Sequence, residues 1–239
     1  MTTPQSDIAS RKSEAIPTDR GSETRVVSTV ALSGWVALVA GILGLASAVL
    51  LIVVEPAVGR DRFSYPFSPG GFAVAQVWFF VHHLGLLAGL YGLWRSGAVG
   101  TSRLGRWGAW GAIVGMGLLT VAELVAISAA DAAYPSARTS MIESLYGISS
   151  ILIGVTLIIA GIAVIKTGQW QGWRRVIPLI LGVYVFVPLT PALFASYALA
   201  RLGIGGWMLG FAFLGWALVK SARETAYMSG ATDSVERAN

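Results

Sequence analysis

Ionisable side chains inside apolar sequence carry the chemistry that this chain offers. His82 and His83 are adjacent in one long apolar stretch, Gln76 precedes them in the same stretch, and Glu123 lies in another. An ionisable group in such a setting is costly, faces protein rather than lipid, and is a functional-site hypothesis by default. Because histidine gains or loses a proton near neutral pH, this set predicts proton-linked transport or the sensing of a small ligand.

Helical spacing predicts which way these side chains face. His82 shares one side of its helix with Gly85 and Gly89, a GxxxG pair that lets another helix approach closely. His82 should therefore point into a helix bundle, about 15 Å below the outer boundary of its span, and Glu123 should lie about 10 Å below that boundary. His83 is rotated by about 100° and shares its side with Gln76.

A third apolar stretch adds two hydroxyls and two prolines. Pro188 and Pro191 lie in its interior and should kink or hinge the helix, freeing backbone carbonyls that can line a cavity. Tyr184 and Thr190 flank this hinge. The candidate polar cavity consists of Gln76, His82, His83, Glu123, Tyr184 and Thr190.

Three interpretations of this set remain open. In the first, Glu123 and a histidine pair only to hold two helices together, since one interhelical polar contact contributes about 0.6–2 kcal/mol. In the second, the six residues form a working cavity. In the third, the groups never meet.

The residue counts argue against cofactor and metal chemistry. Two adjacent histidines on one helix cannot be both axial ligands of a haem, and one carboxylate with two histidines falls short of a zinc or iron ligand set. A retinal would need a lysine in mid-helix, whereas Lys220 ends the last apolar stretch. With no cysteine and no nucleophile–base or phosphate-loop pattern, we predict no cofactor, no metal, no catalytic residues and no enzyme activity.

The elements that position these residues are membrane spans. Only 12% of the 239 residues are charged, against about 25% in soluble domains, and 55% are hydrophobic. Such a chain is an all-α polytopic integral membrane protein, a six-transmembrane-helix bundle. The predicted spans are about 26–54, 72–94, 107–130, 144–165, 176–200 and 202–219. Residues 1–25 and 221–239 are predicted to be largely disordered cytoplasmic tails flanking one domain, 26–220.

Charge predicts the orientation of these spans. Of the seventeen Lys and Arg residues, thirteen fall in the two tails and the loops on their side, and four fall in the other loops. Positive residues concentrate on the cytoplasmic side, so both termini should be cytoplasmic. The basic residues sit at span ends rather than in a stripe, which excludes nucleic acid as a partner and makes the lipid bilayer the expected one. A preference for Arg over Lys with abundant Ala, Gly and Val suggests a bacterial cell membrane.

Two further patterns concern assembly. Small-residue faces on three spans predict close helix packing and offer surfaces for a second copy or another membrane protein. Similar inward helix ends follow Tyr65-Pro66 and Tyr134-Pro135, which indicates either an internal repeat or the ordinary ending of an inward helix. Function is therefore predicted as a non-enzymatic scaffold, sensor or accessory membrane protein, with a small proton-linked transporter or channel between helices 2, 3 and 5 as the alternative.

Overall fold

The chain folds into a bundle of long helices. The computed structural model describes the backbone of residues 20–238 and the side chains of residues 24–229. Six helical segments in this part of the chain are long and apolar enough to cross a membrane: Thr24–Val53, Pro69–Arg95, Arg103–Ile127, Ala137–Thr167, Gly172–Ala195 and Tyr197–Ser229. The protein is therefore an all-α, multi-pass membrane protein, which confirms the predicted fold class.

Seven α-helices build these spans. They are α1 (Arg20–Val53), α2 (Pro69–Arg95), α3 (Arg103–Ile127), α4 (Ala137–Thr167), α5 (Ile177–Tyr184), α6 (Thr190–Ala195) and α7 (Tyr197–Ala238). A 3-10 turn, Gly172–Val176, precedes α5, and a π-helical turn, Val185–Leu189, joins α5 to α6. The fifth span is thus a composite of four short segments.

The six spans form a ring in chain order, and the most extensive contact, between α1 and α7, closes it. Helix α1 lies along α7 and α2, α3 lies along α2 and α4, and α5 lies along α4 and α7. The bundle therefore has two ends. We call the end at which α1 begins and α7 ends, together with the loops 96–102 and 168–171, the termini end. The opposite end, formed by residues 54–68, 128–136 and Ser196, is the distal end.

Serines begin three of the spans. The Ser68 hydroxyl accepts the Gly71 N–H at the start of α2, and the Ser102 hydroxyl accepts the Gly105 N–H at the start of α3. Both caps satisfy backbone donors that a helix start leaves free. In α4 the reciprocal cap joins Ser136 and Thr139.

That cap corrects the sequence-based start of the fourth span. The pattern Ser140 to Glu143 predicts a capping box there, but the helix begins one turn earlier, at Ala137. The Glu143 carboxylate instead accepts a hydrogen bond from the Tyr134 hydroxyl at 2.8 Å. The helix begins here because the Ser136 hydroxyl accepts the Thr139 N–H and the Thr139 hydroxyl accepts the Ser136 N–H.

The two tails also differ from expectation. Helix α1 already begins at Arg20, and the remainder of the predicted N-terminal tail, residues 1–19, lies outside the described residues. Helix α7 continues to Ala238 although residues 221–239 are predicted to be largely disordered. Its extension is proline-free and is held against the bundle by Arg174, which pairs with Glu224 at 2.8 Å.

Glycines set the distances between helices within this single chain. A Cβ at Gly85 or Gly89 of α2 would lie 2.5–2.6 Å from the Ala40 or Ala37 Cβ of α1. Similar close approaches join α1 to α7 at Gly41 and α3 to α4 at several glycines, among them Gly108. The small-residue faces that the sequence offers to a second copy are thus occupied by helices of the same chain.

A layer of large apolar side chains fills the middle of the bundle. It consists of Leu86, Leu90, Met116, Ile153, Leu157, Leu181, Phe211 and Leu214, all essentially inaccessible to solvent. We call this set the apolar layer. Its members come from five of the six spans, so it joins every span except the first. Each is worth about 1.5–3 kcal/mol when moved out of water, although in lipid the gain comes mainly from close packing.

Candidate functional site

The site begins at a contact between α2 and α3 on the distal side of the apolar layer. His83 Nδ1 lies 3.4 Å from Glu123 Oε1, and both side chains are buried. The same nitrogen lies 2.8 Å from the Phe79 carbonyl, one turn back. Since both neighbours are acceptors, Nδ1 carries the proton in the neutral imidazole, and the shorter contact is the hydrogen bond. Glu123 thus faces a proton-bearing nitrogen across the helix interface.

The other carboxylate oxygen is held by α4. The Tyr146 hydroxyl donates to Glu123 Oε2 at 2.7 Å and accepts from Gln76 Nε2 at 3.0 Å. Such a chain polarises each of its bonds in a water-poor surround. We call Gln76, His83, Glu123 and Tyr146 the polar cluster. It joins three helices through hydrogen bonds and one electrostatic contact.

His82 lies beside the cluster without joining it by hydrogen bonds. Its ring stacks on His83 with centroids 4.8 Å apart and meets Phe79 edge-on at 5.6 Å. Both of its ring nitrogens are buried and have no hydrogen-bond partner among the described residues. A buried polar group without a partner costs about 1–3 kcal/mol of stability. The His82 ring therefore either lowers the stability of the bundle or binds a group from outside the fold.

Three other buried hydroxyls in the spans are satisfied within their own helices. Thr120 donates to the Met116 carbonyl, Ser149 to the Leu145 carbonyl, and Thr156 to the Leu152 carbonyl. These are bonds within single helices. The polar cluster differs from these groups because its side chains bond to one another across three helices, and the apolar layer follows it toward the termini end.

Two loops cover the distal end. Arg62 and Ala133 form an antiparallel bridge, with Phe63 N–H bonded to the Ala132 carbonyl at 3.1 Å and Tyr134 N–H to the Asp61 carbonyl at 2.8 Å. Both loops contain a cis Tyr-Pro bond, at Pro66 and Pro135. The two Tyr-Pro pairs thus belong to loops that bind each other.

Tyr134 ties this cover to α4. Its hydroxyl donates to Glu143, and this hydrogen bond raises the pKa of Tyr134 above its ordinary value. Because Tyr134 is half-exposed, this hydrogen bond positions the loop more than it stabilises the fold. The cover is therefore a polar and aromatic structure outside the spans.

The structure brings together only part of the predicted cavity. Gln76, His83 and Glu123 meet, and His82 lies against them, so the interpretation in which the groups never meet is wrong. Tyr184 instead packs its hydroxyl against Gly206 of α7. Its helix, α5, lies between α4 and α7.

Thr190 lies exposed and is satisfied within its own segment. Its hydroxyl donates to the Val185 carbonyl at 2.7 Å, and its N–H reaches the same carbonyl. Pro188 lies in the π-helical turn and Pro191 in the first turn of α6, so the backbone does depart from an α-helix where the prolines predict a kink. The Val185 carbonyl, however, is bonded rather than free. A hinge motion at this turn stays a prediction.

Two residues that belong to the site were not singled out from the sequence. Tyr146 is the only tyrosine in the predicted fourth span, and its position near the outer end of that span is the available signal. Arg201 was counted as a loop residue, yet it lies one turn inside α7 and its charge acts on Glu123. Its position inside a helix depends on the start of α7 at Tyr197, four residues before it.

The described residues hold no group of three or more His, Cys, Asp or Glu side chains that could bind a metal ion. What the cluster has is one carboxyl group, one imidazole, one phenol and one amide, which can hold or pass a proton. No protein-family model, curated protein or solved structure matches the chain. Function must therefore be argued from this geometry.

Proposed function

We propose that this protein is a non-enzymatic sensor or accessory protein of a bacterial cytoplasmic membrane, whose conformation depends on a proton held by the polar cluster. The observation that carries the proposal is the contact of His83 with Glu123 across the α2–α3 interface. Adding or removing one proton there changes the net charge at a helix–helix contact. Helix packing responds to such a change because buried charges need partners.

Several titratable or charged groups face Glu123. They are His83 and His82 on α2, Tyr146 on α4 and Arg201 on α7. Every helix around the carboxyl group therefore senses its charge. A change there acts on four of the six spans at once, which is what a sensor needs.

The apolar layer favours sensing over transport. Leu86 and Leu90 follow His83 along α2, and Met116 lies two turns from Glu123 along α3, all of them buried. An ion leaving the cluster toward the termini end would have to cross these closely packed side chains. A conformational signal does not, because packed helices transmit displacement through their contacts.

The orientation is part of the proposal. We infer that the termini end is cytoplasmic and the distal end external, from the distribution of Lys and Arg between the two ends. The chain has no native cysteine, so single cysteines report cleanly. Ala57→Cys at the distal end should react with a membrane-impermeant maleimide in intact cells, and Thr101→Cys should react only after lysis. The reverse pattern would overturn the orientation.

Pulsed EPR tests the sensor. Spin labels at Thr101→Cys and Ala226→Cys, both exposed at the termini end, report the separation of α3 and α7. In nanodiscs we expect the distance to change by about 2 Å between about pH 5 and about pH 8, the range in which histidine changes charge. Glu123→Gln should abolish the change. Glu143→Gln, an exposed carboxyl at the distal end, should leave it intact.

Proton-linked transport is the second candidate. It is favoured by His82, whose unpartnered ring nitrogens extend the cluster by one more proton-binding group. The path would run between α2, α3 and α4, since Tyr184 and Thr190 of the fifth span lie elsewhere. Proteoliposomes with an internal pH dye distinguish the two functions. Proton uptake that is lost in Glu123→Gln supports transport, and equal traces for both proteins remove it.

A further inference from the structure

The start of α7 carries a second polar site, separate from the polar cluster. Tyr197 and Arg201 stand one turn apart on this helix. The Tyr197 hydroxyl and the Arg201 Nε are both buried, and neither has a hydrogen-bond partner among the described residues. Two donors close together without an acceptor are unusual, since buried donors are nearly always satisfied.

The geometry places these donors at one end of an aromatic stack. The Arg201 guanidinium lies over the Tyr197 ring, 4.7 Å from its centroid. The Tyr65 ring meets Tyr197 edge-on at 5.2 Å, and the Arg60 guanidinium lies over Tyr65 at 5.7 Å. Two cations and two phenols therefore converge from the loop before α2 and from α7. A further donor, the buried Ser64 hydroxyl beside Tyr65, also lacks a partner.

No carboxylate of the described residues pairs with either arginine. Across that part of the chain the ion pairs are His83 with Glu123 and Arg174 with Glu224. Glu123 is the acid whose charge reaches Arg201, but both its oxygens are already contacted by His83 and Tyr146. Glu123 is thus a distant counter-charge for Arg201, and the Arg201 Nε–H donates to no acceptor among the described residues.

We propose that Arg201 and Tyr197 bind an oxyanion, a phosphate or carboxylate group, at the distal end of the bundle. A guanidinium offers two parallel N–H groups to such an anion, and a phenol adds a third donor. Aromatic rings on both sides hold the arginines in place through cation–π contacts. The site lies in the first turns of α7, where the apolar sequence of this helix begins. The anion is either a lipid headgroup or a small soluble oxyanion.

Two probes separate the sources of the anion. Native mass spectrometry with phosphatidylglycerol measures headgroup binding to the full chain in detergent. Titration calorimetry with inorganic phosphate and with acetate measures binding of soluble anions. Binding of the lipid alone assigns a headgroup site, and binding of a soluble anion assigns a ligand site.

Three variants test the assignment with whichever probe binds. Arg201→Gln should weaken binding about tenfold or more, since it removes a charge-assisted pair, and Tyr197→Phe about threefold. The control is Arg138→Gln, which removes the same charge from an exposed position at the same end and should change affinity less than twofold. Arg201→Lys should recover part of the loss, which separates a binding defect from misfolding. Equal loss in Arg138→Gln, or no binding of any probe to the native chain, would overturn the proposal.

Discussion

The two ends of this bundle treat polar groups in opposite ways. At the termini end the Thr167 hydroxyl donates to the Ala98 carbonyl, Trp170 Nε1 donates to the Ser221 hydroxyl, and Arg174 pairs with Glu224. In the distal half of the bundle, His82, Ser64, Tyr197 and Arg201 have buried polar atoms without hydrogen-bond partners among the described residues. Among the described residues near the termini end, one similar atom is Arg95 Nε, whose guanidinium lies over the Trp94 ring at 5.8 Å.

The bonded groups at the termini end stabilise the fold, and we infer that the polar groups without partners in the distal half serve its function. Local satisfaction at the termini end locks helix ends together, as expected where stability alone is required. Unsatisfied groups persist where something outside the fold completes them, or where they exchange protons. We therefore expect substitutions at the termini half to change mainly stability. Substitutions at the distal end should change a response, and some of them should even stabilise.

The largest effect on stability is expected on the termini side of the bundle, at the α1–α7 contact. A Cβ at Gly215 would lie 2.5 Å from the Gly34 carbonyl oxygen and from the Leu38 nitrogen. Gly215→Ala should therefore cost about 2–3 kcal/mol through overpacking. Unfolding by SDS titration in mixed micelles measures the loss.

Gly147→Ala is the matched control for this contact. Gly147 is in α4, exposed, and has open space where a Cβ would stand. It should be neutral or gain up to about 1 kcal/mol from helix propensity. Equal effects at the two glycines would mean that α1 and α7 do not pack this closely.

Breaking the cluster comes next in size. Glu123→Ala leaves the Tyr146 hydroxyl without its acceptor and removes the carboxylate that faces His83 Nδ1, so it should cost about 2 kcal/mol. Tyr146→Phe removes the bridging hydroxyl and should cost about 1 kcal/mol. In the double variant the two losses should fall short of adding by about 0.6–1.7 kcal/mol, the range of interhelical polar contacts. Strict additivity in SDS titration would show that the two residues act separately.

The two histidines should respond in opposite directions. His82→Phe removes two buried nitrogens that lack partners and keeps the ring contacts, so it should stabilise the bundle by about 1 kcal/mol. His83→Phe breaks the contacts to Glu123 and to the Phe79 carbonyl, so it should destabilise by a similar amount. Thermal melting followed by size-exclusion chromatography compares the two variants. A loss in both would indicate that His82 has a partner that hydrogen-bonds it.

The smallest effect is expected for the ion pair at the termini end. Glu224 is about half exposed, with 47% of its side chain accessible. Glu224→Gln should cost about 0.5 kcal/mol or less, and the cost should shrink further in high salt. A loss comparable to that of Glu123→Ala would erase the contrast between the two ends.

Much of this fold was predictable because hydropathy and helix length are local properties. The six spans follow from apolar runs, and the face shared by Gln76 and His83 follows from helical period. Glu123 was identified because a carboxyl group in a span needs protein around it. These inferences need no knowledge of which helices are neighbours.

The partners of these residues were less predictable because they depend on packing between helices. The hydroxyls of the fifth span predict that this span lies next to the cluster. In the structure α4 occupies that position and supplies Tyr146. Helices α3 and α4 come into contact where a glycine on one helix leaves room for the backbone of the other, as at Gly108. A single sequence shows which residues share a face of a helix, but it does not show which two helices pack together. The start of α7 at Tyr197, which places Arg201, likewise depends on the extended residue Ser196.

The proton-dependent distance between α3 and α7 tests the central claim most directly. With spin labels at Thr101→Cys and Ala226→Cys, we predict a change of about 2 Å between about pH 5 and about pH 8 in the otherwise native chain. We predict no change when Glu123 is replaced by Gln. A distance that is constant in the native chain, or that still changes in Glu123→Gln, would contradict a sensor controlled by the polar cluster.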